Sequence, residues 1–174
     1  MIQAPSGALI GLPEGISLRP VETSDLARLE RIYASTRMQE LAQTDWNEEQ
    51  KAQFLRFQFQ AQHRHYLTHY VDAQFFVILR LGVAAGRLYL HWRQRELRIV
   101  DVALLPEHRG QGAGAALLLA LLALAAGESC EVSIHVERMN PAMTLYLRLG
   151  FRKCGEHGIY DRMHWRPEAS TPFA

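Results

Sequence analysis

The residues whose types and spacing are best suited to chemistry lie at 109–114. Arg109-Gly110-Gln111-Gly112-Ala113-Gly114 puts three glycines at alternate positions behind an arginine, and a block of alanine and leucine follows to Ala126. Glycine is a poor helix former and leucine a good one. So much backbone freedom directly before a helix implies that a ligand comes close to the main chain there. The first N–H groups of a helix have no partner within it and bind phosphate well.

Three readings fit such a segment. An ATP-binding phosphate loop needs Gly-Lys-Ser/Thr, and no lysine follows here. A dinucleotide fingerprint is formally present as Gly110, Gly112 and Ala115. Its acidic partner, however, belongs at the end of the next strand, and Glu131 lies at that strand's start. The remaining chain is also short for the further parallel units such a domain needs. A plain turn that lets the helix pack on a sheet is the third reading, although one glycine would serve for that.

The elements that must hold this segment can be read from periodicity. Residues 15–21 form a strand candidate. Thr23 or Ser24 caps a helix with Leu26, Leu29, Ile32 and Tyr33 on one face. Asp45 caps a second, long helix rich in aromatics, with Glu48 and Glu49 in its first turn. The period then changes. Segments 74–81, 86–93 and 96–105 read as an antiparallel meander. The glycine segment and its leucine helix come next. Residues 130–137 form a strand with Val132, Ile134 and Val136 on one face and Ser133 and His135 on the other. A short helix over 140–150 has Asn140 as its cap, Pro141 at its first position and Gly150 as its stop. A hairpin around His157 and Gly158 closes the chain. The order is β-α-α-β-β-β-α-β-α-β-β, an α/β chain of the α+β type with a mixed, mostly antiparallel sheet and helices on its faces.

The 174 residues fit one domain, expected over 15–166. Residues 1–14 read as an irregular leader and 167–174 as a loose tail. A formal net charge of +1 gives no global pull toward nucleic acid or an anionic membrane. The apolar run 113–126 is too short to span a bilayer. Cys130 and Cys154 form no CxxC pair and read as free thiols in a reducing compartment, which implies a cytoplasmic location. His65 and His69 are four apart on the long helix, but no third ligand lies near them in sequence, so no metal is expected.

Taken together, Arg109 to Gly114 match R/Q-x-x-G-x-G/A after a strand ending in Leu104-Leu105-Pro106. Downstream, "NPAMTLYLRLGF" (140–151) carries an asparagine, a short helix with Tyr146, and Gly150-Phe151 opening a strand. With both motifs in order, the sequence resembles the GNAT superfamily of acetyl-CoA-dependent N-acetyltransferases over roughly residues 15 to 166. The resemblance implies the GNAT-like sheet and acetyl-CoA as co-substrate. The pyrophosphate would lie over the N–H groups of Gln111, Gly112, Ala113 and Gly114, with Gly110 also free of a side chain. Arg109 would add positive charge. Leu104 and Leu105 would offer backbone groups to the pantetheine arm, while their side chains pack in the core. Asn140 would either bind that arm or cap its helix.

The same resemblance makes Tyr146 the general acid that protonates the departing thiolate; its alternative role is packing on the sheet. Many relatives carry a basic glutamate on the strand before the glycine segment, at a place where this sequence has Arg98. Glu96 lies two residues earlier on the same face. Asp101 falls on the opposite face by simple alternation. His135 has a suitable pKa and sits mid-strand. Glu96 and His135 are therefore the candidate bases, with a water chain as the alternative.

The acceptor would be a primary amine of a small molecule or peptide. Residues 35–70 would select it, with Tyr33, Met38, Trp46, Phe54 and Phe57 either walling an apolar pocket or packed in the core. An acyl-CoA-binding sensor that lacks transferase activity is the alternative function. Leucines 117, 118, 119, 121, 122 and 124 wrap most of their helix. They suggest an oligomer contact, such as a homodimer, or cover by another element.

Overall fold

The computed structural model describes residues 11–167. Residues 1–10 and 168–174, which hold most of the expected leader and tail, lie outside the described residues. Seven strands form one sheet: β1 (Ile16–Pro20), β2 (Gln74–Arg80), β3 (Val83–Arg93), β4 (Glu96–Leu104), β5 (Glu131–Glu137), β6 (Arg152–His157) and β7 (Tyr160–Trp165). The order across the sheet is β1-β2-β3-β4-β5-β7-β6. β4 and β5 run parallel, and the other neighbours are antiparallel. The helices are α1 (Leu26–Leu41), α2 (Glu48–His69), α3 (Ala113–Gly127) and α4 (Met143–Arg148).

The sheet has a core on each face. Leu29, Ile32, Tyr33, Leu55 and Phe59 of α1 and α2 pack against Tyr89, Val100, Ala103 and Leu105. On the other face, α3 and α4 bury Leu117, Leu121 and Tyr146 against Leu88, Leu97, Ile99, Val132 and Ile134. Five of the six α3 leucines are buried by the chain itself. Only Leu119 is exposed, at 55%. That outcome is cover by other elements, and it leaves no leucine patch on α3 for a second copy.

Several boundaries differ from expectation for local reasons. A single 3-10 turn at Thr23–Asp25 precedes α1, and Glu22 and Asp25 close a reciprocal capping box there, in place of a cap from Thr23 or Ser24. The buried Asp25 carboxylate accepts from the Glu22 N–H at 2.9 Å, from Arg19 at 2.7 and 2.8 Å, and from Arg28. α2 starts at Asn47 and not at Asp45, because Asn47 and Gln50 form a reciprocal capping box of 2.9 and 3.0 Å. α4 is shorter than 140–150. The Asn140 side chain accepts from the Ala142 N–H at 2.8 Å and so caps the turn that leads into it. Gly86 of β3 is required: a side chain there would strike the carbonyl of Ala103 on β4.

The Asp25 cluster fixes where α1 leaves the sheet, and it is pH-dependent. Its hydrogen bonds with Arg19 hold the Asp25 carboxyl well below the usual carboxylate range, against the opposing effect of burial. Such a depressed group gives its full stabilisation above the unfolded value of about 3.9 and loses it as pH falls through the folded value. Asp25→Asn is expected to cost about 1–2 kcal/mol at pH 7, with the gap to wild type narrowing below pH ~4. Urea unfolding at pH 7 and pH 3 checks this; equal gaps would contradict it.

Candidate active site

The site begins where two strands part. β4 and β5 pair only from Glu96–Glu131 to Ile99–Ile134. Beyond that point β4 stays with β3, and β5 stays with β7. A crevice opens between them, and α3 starts beside it. In β4 the register slips at the same point. Tyr89 lies opposite Asp101 and Leu90 opposite Ile99, so Val100 is an extra, bulged residue. The bulge reverses the alternation. Leu97 and Ile99 pack on the α3 face, and after the bulge so do Val102 and Leu104. Val100 and Ala103 pack on the α1–α2 face.

This reversal moves Asp101. Simple alternation sets it opposite Glu96 and Arg98; the bulge puts all three on the α1–α2 face. Its carboxylate accepts from Arg87 at 2.6 Å and from the Tyr66 hydroxyl at 3.3 Å. Arg87 is only 2% exposed and also donates to Gln62 at 2.9 Å. Sequence reasoning missed this role for Asp101. A bulge is set by the pairing of two strands, and the only local signal is Asp101 interrupting an apolar run.

Tyr146 approaches from the other face. Its ring is buried and meets Phe151 edge-on, with centroids 5.6 Å apart. Burial pushes its phenol above the ordinary value, and the Asp101 charge pushes it the same way. Tyr146 and Asp101 therefore bear on the crevice from opposite sides of the sheet.

The glycine segment meets the geometric needs of an anion cradle. Gly110 and Gly112 have φ of 70° and 81°, in the left-handed region that favours glycine. Gly112 is the N-cap of α3, and the first intrahelical bond is Ala116 N–H to Gly112 C=O at 3.0 Å. The N–H groups of the preceding turn are thus left to an external acceptor. A side chain at Gly110 or Gly112 would enter open space, so no packing from the chain fills that volume. Gly114 is inside the helix, with Leu104 beside it.

The flanking residues are partly committed. Arg109 donates to the Leu104 carbonyl at 2.7 Å and to the Ser35 hydroxyl of α1 at 3.0 Å. Gln111 donates to the Glu107 carbonyl at 2.8 Å and accepts from Arg80. The Leu105 N–H goes to Ala85 at 2.8 Å, and its carbonyl accepts from His108. By the alternation of an antiparallel ladder, the backbone groups of Leu104 and Val102 then turn away from β3, toward the crevice.

The two candidate bases lie lower on the α1–α2 face. Glu96 accepts from the Ser133 hydroxyl and lies 3.4 Å from Arg93. His135 is exposed, with its Nδ1 facing Arg98. Burial of part of the ring, with Arg98 and Arg162 beside it, pushes His135 down to about 4, so it is neutral at pH 7. The aromatic wall expected from residues 35–70 does not form as one pocket. Tyr33 is core, while Met38, Trp46 and Phe54 are exposed and Phe57 is 68% exposed. The His65 and His69 rings stack at 4.2 Å. Among the described residues, no group of three or more His, Cys, Asp and Glu is arranged to hold a metal. No described helix is long and apolar enough to cross a membrane.

Solved structures share this architecture. PaiA N-acetyltransferase from Thermoplasma acidophilum, in complex with coenzyme A, is 18% identical and superposes with a TM-score of 0.65 over 87% of this chain and 98% of its own. Spermidine N-acetyltransferase from Vibrio cholerae, in complex with CoA and spermine, is 20% identical, with a TM-score of 0.59 over 88% and 96%. Naa50 from Arabidopsis thaliana, bound to a bisubstrate analogue, is 16% identical, with a TM-score of 0.57 over 87% and 98%. At these identities the likeness speaks for the fold. Among curated proteins, no sequence matches this chain. Residues 29–151, which run from α1 through the crevice to Phe151, match the model of the Acetyltransferase (GNAT) family. The chain belongs to the GNAT family of acetyltransferases.

Proposed function

We propose that residues 15–166 act as one N-acetyltransferase unit that moves an acetyl group from acetyl-CoA to a primary amine of a small molecule or peptide. The observation that carries this reading is the parting of β4 and β5 beside a glycine-headed helix, with Tyr146 on one side and Asp101 on the other. The free Cys130 and Cys154 support a reducing, cytoplasmic setting.

Acetyl-CoA supplies an activated carbonyl on a thiolate leaving group. The chain's residues do the rest. The N–H groups from Gln111 to Gly114 receive the pyrophosphate, and Gly110 and Gly112 keep its approach clear. Arg109 exchanges its Leu104 and Ser35 partners for phosphate oxygens. Leu104 offers its outward backbone groups to the pantetheine amides, and Leu105 anchors that strand to β3. Asn140 holds the turn before α4. The raised phenol of Tyr146 stays protonated and can donate to the departing sulfur. We assign the orienting of the incoming amine to Asp101. Arg87 and Tyr66 both bond one of its oxygens, Oδ2, so Oδ1 can accept from an ammonium. A water chain carries that ammonium's proton to solvent, and the neutral amine attacks the carbonyl as the C–S bond breaks. The amine's second proton replaces the one Tyr146 gives to the sulfur. Glu96 is engaged by Ser133, and the Nδ1 of His135 is used by Arg98, so both are less available as bases.

A thiol-release assay with acetyl-CoA against amino acids, polyamines, aminoglycosides and peptides is expected to find at least one acceptor. Binding of CoA with no transfer to any of them would favour the sensor reading.

Tyr146→Phe is expected to lower kcat about 10²-fold with little change in acetyl-CoA affinity. Equal losses in both would reassign the residue to binding. Because its phenol is raised, the wild-type kcat profile should show no falling limb below pH ~10.

Gly112→Val is expected to weaken CoA binding at least about tenfold, since a branched residue is strained at positive φ and would stand in the pyrophosphate's path. Calorimetry with CoA decides this, and unchanged affinity would remove the phosphate assignment.

A further inference from the structure

Two arginines are buried on neighbouring strands of the α1–α2 face, and they are treated differently. Arg87 on β3 is 2% exposed and has the Asp101 carboxylate at 2.6 Å. Arg98 on β4 is 5% exposed. Its bonds go to neutral acceptors, the Ser133 hydroxyl at 3.0 Å and Nδ1 of His135. Among the described residues, no carboxylate lies within salt-bridge distance of it. The nearest acid along the strand, Glu96, is turned to Ser133, Arg93 and Arg162. A buried guanidinium without a counter-ion is costly. The cost shows in its acidity, since burial pulls Arg98 below its ordinary value while Arg87 is raised.

We propose that Arg98 anchors a carboxylate on the acceptor, so that the preferred substrate is an amine that also bears a carboxylate, as amino acids do. This rests on the transferase reading above and names its substrate class. Arg98 and Asp101 lie on one face of β4, separated by the bulge and less than about 10 Å apart along the strand at ~3.3 Å per residue. An ammonium and a carboxylate a few carbons apart span that interval with a hydrogen bond at each end. A guanidinium binds a carboxylate through two parallel N–H bonds, a geometry that a neutral amide cannot match in charge. His135 occupies the position in the meantime. Its ring is exposed, neutral and hydrogen-bonded to Arg98, and turning it outward opens the guanidinium to the crevice. Arg162, with Glu96 4.0 Å away, also stands beside His135 on this face, and the His157 ring stacks on His135.

The test compares matched acceptors, each amino acid against its own carboxamide, in the thiol-release assay. The free acids are expected to exceed the amides at least about tenfold in kcat/KM with wild type. Arg98→Gln should erase that preference, and Arg98→Lys should restore part of it, with acetyl-CoA affinity and circular dichroism checking that each variant is folded. Transfer to acids and amides at equal rates would overturn the anchor while leaving the transferase reading intact. A binding arm separates the reverse case. N-acetylated amino acids, which keep the carboxylate, are titrated calorimetrically onto the CoA-loaded protein. Binding to wild type and not to Arg98→Gln, with no transfer to any amine, would sustain the anchor and sink the transferase. Absence of both binding and preference overturns the anchor.

Discussion

The bulge at Val100 is the constraint on which the site depends. A sheet whose strands all paired to their ends would have no crevice. One extra residue in β4 ends its partnership with β5 after Ile99 and keeps its partnership with β3. Bulges sharpen local twist and bend the strand that carries them. Past the bulge Leu104 lies beside Gly114 of α3, and Gly112 is the N-cap of that helix. The outward backbone of Leu104 and the placement of Asp101 on the α1–α2 face follow from this one irregularity.

The bulge also sets the electrostatics. It brings Asp101 onto the face where Arg87 and Tyr66 wait, and so converts what would be an isolated buried guanidinium into a paired one. A charge in low dielectric is tolerated when it is paired and hydrogen-bonded. Arg98, before the bulge, gets no such partner. β4 therefore carries Asp101, paired with Arg87 of β3, and Arg98, whose partners are the neutral Ser133 and His135, on the same side of the sheet. That asymmetry gives the crevice a polarity that the bulk net charge of +1 conceals.

The glycine turn before α3 and the Asn140 turn before α4 were legible in the sequence because they are local backbone chemistry. Alternate glycines before a leucine helix, and Asn140 to Phe151 after it, fix turn and helix ends within a dozen residues each. The Asp101–Arg87–Tyr66 cluster was not legible, because its residues meet through strand pairing. Asp101 reads as the wrong face until the bulge is known. β7 slips between β5 and β6, a return that no spacing indicates. Exposed Phe57 and Trp46 looked like pocket walls by type, yet the stripe that α2 buries is narrow, limited to Leu55 and Phe59. Caps differ from expectation where a side chain three residues on completes a reciprocal box: Gln50 with Asn47 in place of Asp45, and Asp25 with Glu22 in place of Thr23 or Ser24.

This division has a physical basis. On the proposed reading, pyrophosphate and pantetheine meet main-chain N–H and C=O groups, so the requirement on sequence is mainly the removal of side chains. Many sequences can meet it, provided glycine stands where φ is positive. The acceptor side proposed above is built from side chains on β3, β4 and α2, whose relative positions depend on the whole sheet. Substitutions there alter charge without touching the cradle. The place where a relative's glutamate would stand holds Arg98, and Asp101 lies on the same face beyond the bulge. A carboxylate and a cation thus share one strand face, and the proposed acceptor choice turns on that charge pattern while leaving the glycine segment before α3 untouched.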